Sequence, residues 1–214
     1  MNTLEQPWRQ NPALRFSYSL IAPLYDLVIE RPMRKARQRS LRLLPLTPGR
    51  VLLSGVGTGL DLPLLPATHH YTALDFNAAM LRRAVARGKT LDADFVLGDS
   101  MNLPFADGVY DCVVLHLIMA VVPQPAACLA EAARVLKPGG TILLFDKFLQ
   151  PGKLAPLRRL LSPLSRRLAT RMDVVFETEL ATVPGLEVMS NGAALAGGWF
   201  RSIVLRKTHP AEVA

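Results

Sequence analysis

The feature that most constrains the fold is an alternation of short apolar segments with helical patterns. Five apolar segments are typical of buried strands, at 50–56, 71–76, 94–99, 110–118 and 140–148. Helical patterns lie at 77–88 and 125–140, and the second ends in the stop signal Lys137-Pro138-Gly139-Gly140. Strands that alternate with helices predict a doubly wound, mostly parallel sheet with helices on both faces.

The pattern changes after residue 150. Residues 186–190 and 199–207 are typical of two closing strands, joined through 191–198. Together with the first five they make seven, and they predict an antiparallel C-terminal edge on the parallel sheet. Two further helical patterns, at 18–30 and 33–44, precede the first strand.

Composition excludes several classes of protein. The chain has 214 residues, half of them hydrophobic, which fits one domain with a sizeable core. It has no apolar run of 18 residues and no signal-peptide pattern at its start. Cys112 and Cys128 lack CxxC spacing, and the four histidines lack metal-ligand spacing, so we expect reduced core cysteines, a cytoplasmic location and no metal.

A glycine loop follows the first predicted strand, with Gly55, Gly57 and Gly59 alternating in VLLSGVGTGLDL. In a doubly wound sheet, the first strand-to-helix turn is where ligands bind. A P-loop would need a lysine after the last glycine, where Leu60 stands. The dinucleotide motif GxGxxG would need a glycine at that same position, so neither nucleotide motif is present.

Two acidic residues close the next two strands. Asp75 lies twenty residues beyond Gly55, where a carboxylate can accept both hydroxyls of a ribose. Asp99 ends the third strand, where a carboxylate can accept the amine of an adenine. The alternatives are a helix N-cap for Asp75 and a turn residue for Asp99. Their positions at successive strand ends favour a binding site.

These segments together resemble the class I S-adenosylmethionine-dependent methyltransferases from about residue 18 to residue 207. The resemblance implies a Rossmann-like α/β fold, S-adenosylmethionine as the cofactor, N-terminal lid helices at 1–46 and a cofactor-binding domain at 47–214. It also implies which residues bind the cofactor. They are Gly55, Gly57 and Gly59 under the methionine part, Asp75 at the ribose, and Phe76, Asp99, Ser100 and Met101 at the adenine.

One position departs from that family. Leu53 stands where the family usually carries Asp or Glu, two residues before the first glycine. Asp61 or a backbone carbonyl is then the replacement partner for the ammonium of the cofactor. The same departure is the best support for the alternative that the chain is a non-catalytic cofactor-binding module.

Methyl transfer from a sulfonium is an in-line displacement that depends mainly on positioning, so a catalytic base is not obligatory. By the resemblance, Tyr25 in IAPLYD helps to form a lid over the cofactor; its alternative is helix packing. His116 ends the fourth strand and is the candidate base, or else a hydrogen-bonded core residue. Asp146 and Lys147, after the fifth strand, lie at the same ligand edge unless they form a solvated strand end.

The net charge of +8 is concentrated in two segments, 33–44 and 152–172. Across the helical patterns 18–30 and 33–44, apolar residues recur at helical spacing and basic residues take the other faces: Ile29, Met33, Ala36 and Leu43 against Arg34, Lys35, Arg37, Arg39 and Arg42. The segment 152–172 has a leucine stripe with arginines off it, which is typical of a helix at a membrane interface. The alternative is a helix docked on the domain with a solvated basic face.

The methyl acceptor is inferred from finer resemblances. YSLIAPLYDLVIERP and GGWFRSIVLRK look most like the bacterial phospholipid N-methyltransferases, which methylate phosphatidylethanolamine at the membrane surface. LLFDKFLQPGKLAPLRRL also resembles the ubiquinone/menaquinone C-methyltransferases, but those carry a polar pair where this chain has Ala120-Val121. A soluble small-molecule O-, N- or S-methyltransferase is the alternative.

The net charge of +8 also suggests a nucleic-acid methyltransferase as an alternative function. Such an enzyme would show an Asn/Asp-Pro-Pro-Tyr motif or a Pro-Cys nucleophile, and neither is present. We therefore expect a lipid or small-molecule acceptor, an anionic membrane surface as a partner, a peripheral position on the inner membrane face, and no nucleic acid.

Overall fold

The computed structural model describes residues 33–149 and 174–209. The predicted helix at 18–30, Tyr25 and the basic segment 152–172 lie outside the described residues. The strands are β1 (Arg50–Ser54), β2 (His70–Asp75), β3 (Ala93–Leu97), β4 (Tyr110–His116), β5 (Leu136–Lys147), β6 (Leu186–Leu195) and β7 (Phe200–Lys207). The helices are α1 (33–41), α2 (Ala78–Arg87), α3 (Pro125–Val135) and α4 (Phe176–Leu180).

The strands form one seven-stranded sheet in the order β3-β2-β1-β4-β5-β7-β6. The strands β1 to β5 pair in parallel, and β7 pairs antiparallel with both of its neighbours. The prediction of a mostly parallel, Rossmann-like sheet with an antiparallel C-terminal edge is therefore confirmed. The order reverses at β1, so the carboxyl ends of β1 and β4 lie at the switch point where such sheets bind ligands.

The core has two layers, one on each face of the sheet. Leu52 of β1 packs in the layer that contains Leu129 of α3, whereas Val51 and Leu53 pack in the layer that contains Leu81 of α2. Because both faces are covered, the central strands are continuous apolar runs rather than alternating ones. Burial on both sides fixes the central strands and, with them, the turns at their carboxyl ends.

Several predicted boundaries were wrong, and three of them have a clear structural reason. The helix predicted to reach residue 140 ends at Val135, because Leu136 is extended and pairs with Tyr110 at the start of β5. Strand β4 ends at His116, two residues early, because Leu117 takes a left-handed backbone conformation. Strand β6 runs on to Leu195, since two register shifts against β7 carry the pairing through the predicted connection.

The predicted faces of the first basic helix need two corrections. Leu43 is 52% exposed, because α1 ends at residue 41 and Leu41 and Leu44 are buried instead. Arg37 lies on the buried side of α1 together with Met33, since an acidic partner on the glycine loop compensates its charge. The remaining exposed side chains of α1 are mostly basic.

The two cysteines are free and buried, as predicted. Burial raises the pKa of both thiols to about 12, so they are inert core residues. In residues 33–149 and 174–209, the helices are too short or too polar to cross a membrane.

Candidate active site at the carboxyl ends of the strands

The three glycines of the loop after β1 all have positive φ angles, between +59° and +82°. A Cβ atom on Gly55 would meet Ile118 at 2.5 Å, and one on Gly59 would meet the backbone of Ala84 at 2.8 Å. At Gly57 no described atom lies within 4 Å of the same position. Gly55 and Gly59 therefore allow close packing of the protein on itself, whereas Gly57 faces open space that a ligand can approach.

Asp75, at the end of β2, is tied to that loop. Its carboxylate accepts hydrogen bonds of 2.8 Å from the backbone N–H groups of Gly57 and Asn77. The alternative that Asp75 caps α2 is wrong, because Asn77 is the N-cap and accepts from the N–H groups of Ala79 and Met80. Burial raises the pKa of Asp75 against the lowering effect of its backbone hydrogen bonds. The N–H of Phe76 is a third backbone donor to this carboxylate, which leaves one of its four lone pairs for a ligand.

The third strand end joins the same edge. Asp99 Oδ1 accepts from the N–H of Met101 at 2.9 Å, which forms a tight turn after β3. Ser100 is buried, and its hydroxyl accepts a 2.9 Å hydrogen bond from the hydroxyl of Ser54 at the end of β1. Phe76 follows Asp75 and is 43% exposed, so its ring is accessible to a ligand. The structure thus connects the ends of β1, β2 and β3, as the sequence predicts.

His116 lies in a buried hydrogen-bonded chain of four residues. Its Nδ1 lies 3.0 Å from Asp61 Oδ2, and its Nε2 lies 3.0 Å from the hydroxyl of Ser40. The other oxygen of Asp61 accepts from Arg37 at 2.9 Å. Burial opposes ionisation of Asp61, but the charges of Arg37 and His116 and their hydrogen bonds outweigh it, and the pKa of Asp61 lies far below its ordinary value.

The hydrogen bonds among these four residues join α1 to the glycine loop and to the end of β4. The order Ser40, His116, Asp61 is that of a nucleophilic triad, but Ser40 is 1% exposed and a substrate cannot reach its oxygen. Ser40 and Arg37 were not predicted as partners of His116. No sequence signal links them to it, since His116 lies 76 residues after Ser40. His116 as a base stays a prediction, which requires Nε2 to exchange Ser40 for the substrate.

The position of Leu53 has a structural consequence. Leu53 is buried in the core layer on α2's side of the sheet. Asp61 is the nearest acid along the chain, but Arg37 and His116 contact both of its oxygens. Which of the two replaces the family's usual acid, Asp61 or a backbone carbonyl of the loop, stays a prediction.

A second buried acid lies at the end of β5. Asp146 is 1% exposed, so the alternative of a solvated strand end is wrong for this residue. It accepts hydrogen bonds from the N–H of Ala120 at 3.1 Å and from its neighbour Lys147 at 2.7 Å. Burial raises its pKa to about 6, although those hydrogen bonds and the charge of Lys147 lower it. Burial also lowers the pKa of Lys147.

Comparison with known proteins identifies the family. A family model described as a methyltransferase domain matches residues 52–144. The chain is 32% identical over 182 residues to a phosphatidylethanolamine N-methyltransferase of Cereibacter sphaeroides. This match covers 83% of this chain and 89% of that protein. The chain is 35% identical over 132 residues to a demethylmenaquinone methyltransferase of Renibacterium salmoninarum, and this match spans 59% of this chain and 55% of that enzyme.

Solved structures show the same fold. One of them is a geranyl diphosphate C-methyltransferase of Streptomyces coelicolor A3(2), solved with Mg²⁺, geranyl-S-thiolodiphosphate and S-adenosyl-L-homocysteine. It matches with a TM-score of 0.66 and 13% identity over 81% of this chain and 76% of that one. The phosphatidylethanolamine N-methyltransferase matches over most of both proteins, and the strand ends have the geometry described above. The chain therefore belongs to the class I S-adenosylmethionine-dependent methyltransferases.

Proposed function

We propose that this enzyme transfers a methyl group from S-adenosylmethionine to the amine of phosphatidylethanolamine at a membrane surface. The observation that carries the proposal is the similarity to a phosphatidylethanolamine N-methyltransferase, which extends over 89% of that protein. The quinone relative matches over little more than half of its own length. The similarity to the lipid enzyme therefore includes parts of the chain that lie outside the common methyltransferase core.

The residues at the strand ends fit the cofactor. Gly57 leaves open space beside its backbone, where an added Cβ would project. Asp75 keeps a lone pair for a ribose hydroxyl, and the exposed ring of Phe76 offers a stacking surface for the adenine. When bound, S-adenosylmethionine supplies an electrophilic methyl group on a sulfonium. The protein's part is to orient the acceptor and to exclude water from the line of attack.

The acceptor amine sets a requirement for proton removal. An alkyl ammonium such as that of lysine has a pKa of about 10.4, so at neutral pH the amine must lose a proton before its lone pair can attack. We propose His116 as the base for this step, with the Ser40 hydroxyl turning away from Nε2. The carboxylate of Asp61 then holds the ring in place through its Nδ1. Tyr25 is proposed as the lid residue over the bound cofactor.

The basic surface supports a membrane location. Exposed basic side chains on α1 include Arg34, Lys35 and Arg39. The segment 152–172 adds five arginines beside a leucine stripe. Each basic residue near an anionic bilayer contributes about 1 kcal/mol to binding, within a Debye length of about 8 Å. We propose a cytoplasmic enzyme that is peripheral on the inner membrane face.

Methyl transfer from labelled cofactor to a panel of acceptors tests the proposal. Full-length enzyme is incubated with methyl-labelled S-adenosylmethionine and, separately, with phosphatidylethanolamine vesicles, a demethylmenaquinone and a metabolite extract. We expect label in the lipid phase with the vesicles, and none when phosphatidylcholine replaces phosphatidylethanolamine. Label in the quinone or only in water-soluble products would overturn the lipid acceptor while leaving the methyltransferase intact.

The demethylmenaquinone methyltransferase match favours a quinone acceptor as the second candidate. A carbon acceptor needs no ammonium deprotonation, so the two candidates differ in their pH dependence as well as in their product. A soluble small-molecule acceptor is the remaining alternative, and the same panel identifies it.

A further inference from the structure

A small cavity lies between α1, the chain that follows the glycine loop, and the end of α2. Its volume is about 40 Å³. The described residues that line it are Arg34, Arg37, Leu60, Pro63, Leu64 and Arg87. None of them belongs to the residues predicted to bind the cofactor, although Arg37 also pairs with Asp61 in the buried chain through His116.

Arg37 has an unmet hydrogen-bonding group in this cavity wall. It is only 7% exposed, and its Nη1 is bound to Asp61. Its Nε is buried and has no hydrogen-bond partner among the residues that the structure describes. A buried guanidinium N–H without an acceptor is destabilising, and buried donors in folded proteins are nearly always paired. An acceptor in the cavity would satisfy it.

Charge and size define what that acceptor is. Three arginines line the cavity, and its described lining has no acidic residue. Arg37 pairs with Asp61, and Arg87 donates from Nη1 to the backbone carbonyl of Thr58. The guanidinium fork matches the oxygens of a phosphate and binds it in a bidentate manner. A single water needs roughly 10–15 Å³ of such space, so the cavity has room for a group of a few heavy atoms.

We propose that this cavity binds a phosphate group. Arg34 and Arg37 of α1 and Arg87 of α2 are its ligands, and the Nε of Arg37 donates to one phosphate oxygen. The inference does not depend on which acceptor the enzyme methylates. The phosphate comes either from a phosphodiester headgroup or from a free phosphate or monoester, and the two sources share this chemistry.

Calorimetry on the full-length protein saturated with S-adenosylhomocysteine tests the site. Inorganic phosphate is titrated in one arm and glycerophosphoethanolamine in the other. Arg34→Gln removes one ligand from an exposed position, and Arg37→Lys keeps the charge beside Asp61 but removes Nε. We expect each variant to weaken phosphate binding about tenfold or more, the usual effect of losing a hydrogen bond to a charged group.

Arg39→Gln is the matched control, since Arg39 is an exposed arginine of the same helix that does not line the cavity. It should leave phosphate affinity within about twofold of the wild type, because exposed charges outside a site contribute little. Binding of both probes assigns a site that accepts a diester, and binding of inorganic phosphate alone assigns a free phosphate or monoester. Binding of neither probe, or an equal loss in Arg34→Gln and Arg39→Gln, would overturn the proposal.

Discussion

The carboxylate of Asp75 accepts a 2.8 Å hydrogen bond from the backbone N–H of Gly57. The acid at the end of β2 thereby holds the middle of the glycine loop, at the residue that faces open space. A ligand that binds Asp75 and lies over Gly57 thus contacts two parts of one hydrogen-bonded unit. Preorganisation of this kind lowers the entropy lost on binding.

Gly57→Ala tests the loop as a ligand site. The methyl group projects into open space, so the free protein loses only the left-handed backbone preference, about 1 kcal/mol in the free energy of unfolding. Affinity for S-adenosylhomocysteine should fall about tenfold or more, because the methyl occupies the approach of the ligand. Titration calorimetry and urea denaturation measure the two effects.

Gly197→Ala is the matched control for that substitution. Gly197 has a φ of +64°, and no described atom lies within 4 Å of an added Cβ there. It should lose the same stability and keep full cofactor affinity. Equal affinities in the two variants would show that the ligand does not approach Gly57.

The buried chain through His116 is tested by two substitutions. Ser40→Ala removes one neutral hydrogen bond and should lower the free energy of unfolding by about 1 kcal/mol while most of the turnover remains. His116→Gln should lower turnover at saturating cofactor about 100-fold or more if His116 removes the proton from the amine. Circular dichroism at the assay temperature measures the folded fraction of each variant. A turnover loss no larger than the loss of folded protein would leave His116 with a packing role only.

Because the pKa of Asp146 is raised, we expect the free energy of unfolding to depend on pH. Its pKa is raised from 3.8 to about 6 in the folded state, so the folded protein binds this proton more tightly than the unfolded chain does. The contribution of Asp146 to stability is therefore full below its ordinary pKa and is lost as the pH rises through about 6. The loss is on the order of 3 kcal/mol once the carboxyl is ionised.

Asp146→Asn removes this titration and serves as the comparison. The unfolding free energy of the variant minus that of the wild type should rise by on the order of 3 kcal/mol between about pH 4 and about pH 7. Urea unfolding at several pH values gives this difference. A constant difference across the range would mean that Asp146 has an ordinary pKa in the folded protein.

Membrane binding is tested with vesicles that contain phosphatidylglycerol. Arg158→Gln with Arg159→Gln removes two charges from the segment 152–172 and should weaken binding about tenfold or more at low salt. Arg82→Gln with Lys89→Gln removes two exposed charges beside α2 and should have a smaller effect. Co-sedimentation measures both. Equal losses would indicate a general effect of net charge in place of a defined membrane face.

The fold was predictable because each buried strand appears in the sequence as a short apolar run. A buried parallel strand such as β1 needs an unbroken apolar run, and a turn that opens a ligand site needs glycines in left-handed conformations. The strand-end positions of Asp75 and Asp99 follow from those strands. The end of α3 was missed because Leu136 has a helix-forming side chain, and only its pairing with Tyr110 decides its conformation.

The hydrogen bonds among Arg37, Asp61, His116 and Ser40 could not be predicted from the sequence. Arg37 sits in a helix where basic residues normally face solvent, and its burial depends on Asp61, 24 residues away. Ser40 and His116 are likewise brought together only by tertiary packing. The sequence identified His116 as a candidate by its position at a strand end, but it carried no information on the partners of the ring.

Mass spectrometry of the lipid product tests the central claim most directly. Purified enzyme is incubated with S-adenosylmethionine and vesicles of phosphatidylethanolamine and phosphatidylglycerol, and the headgroup fragments are analysed. We expect phosphatidylethanolamine whose ethanolamine fragment has gained a methyl group, and no such product from Gly57→Arg. Unmodified phosphatidylethanolamine from an enzyme that binds S-adenosylhomocysteine and methylates another acceptor would contradict that claim.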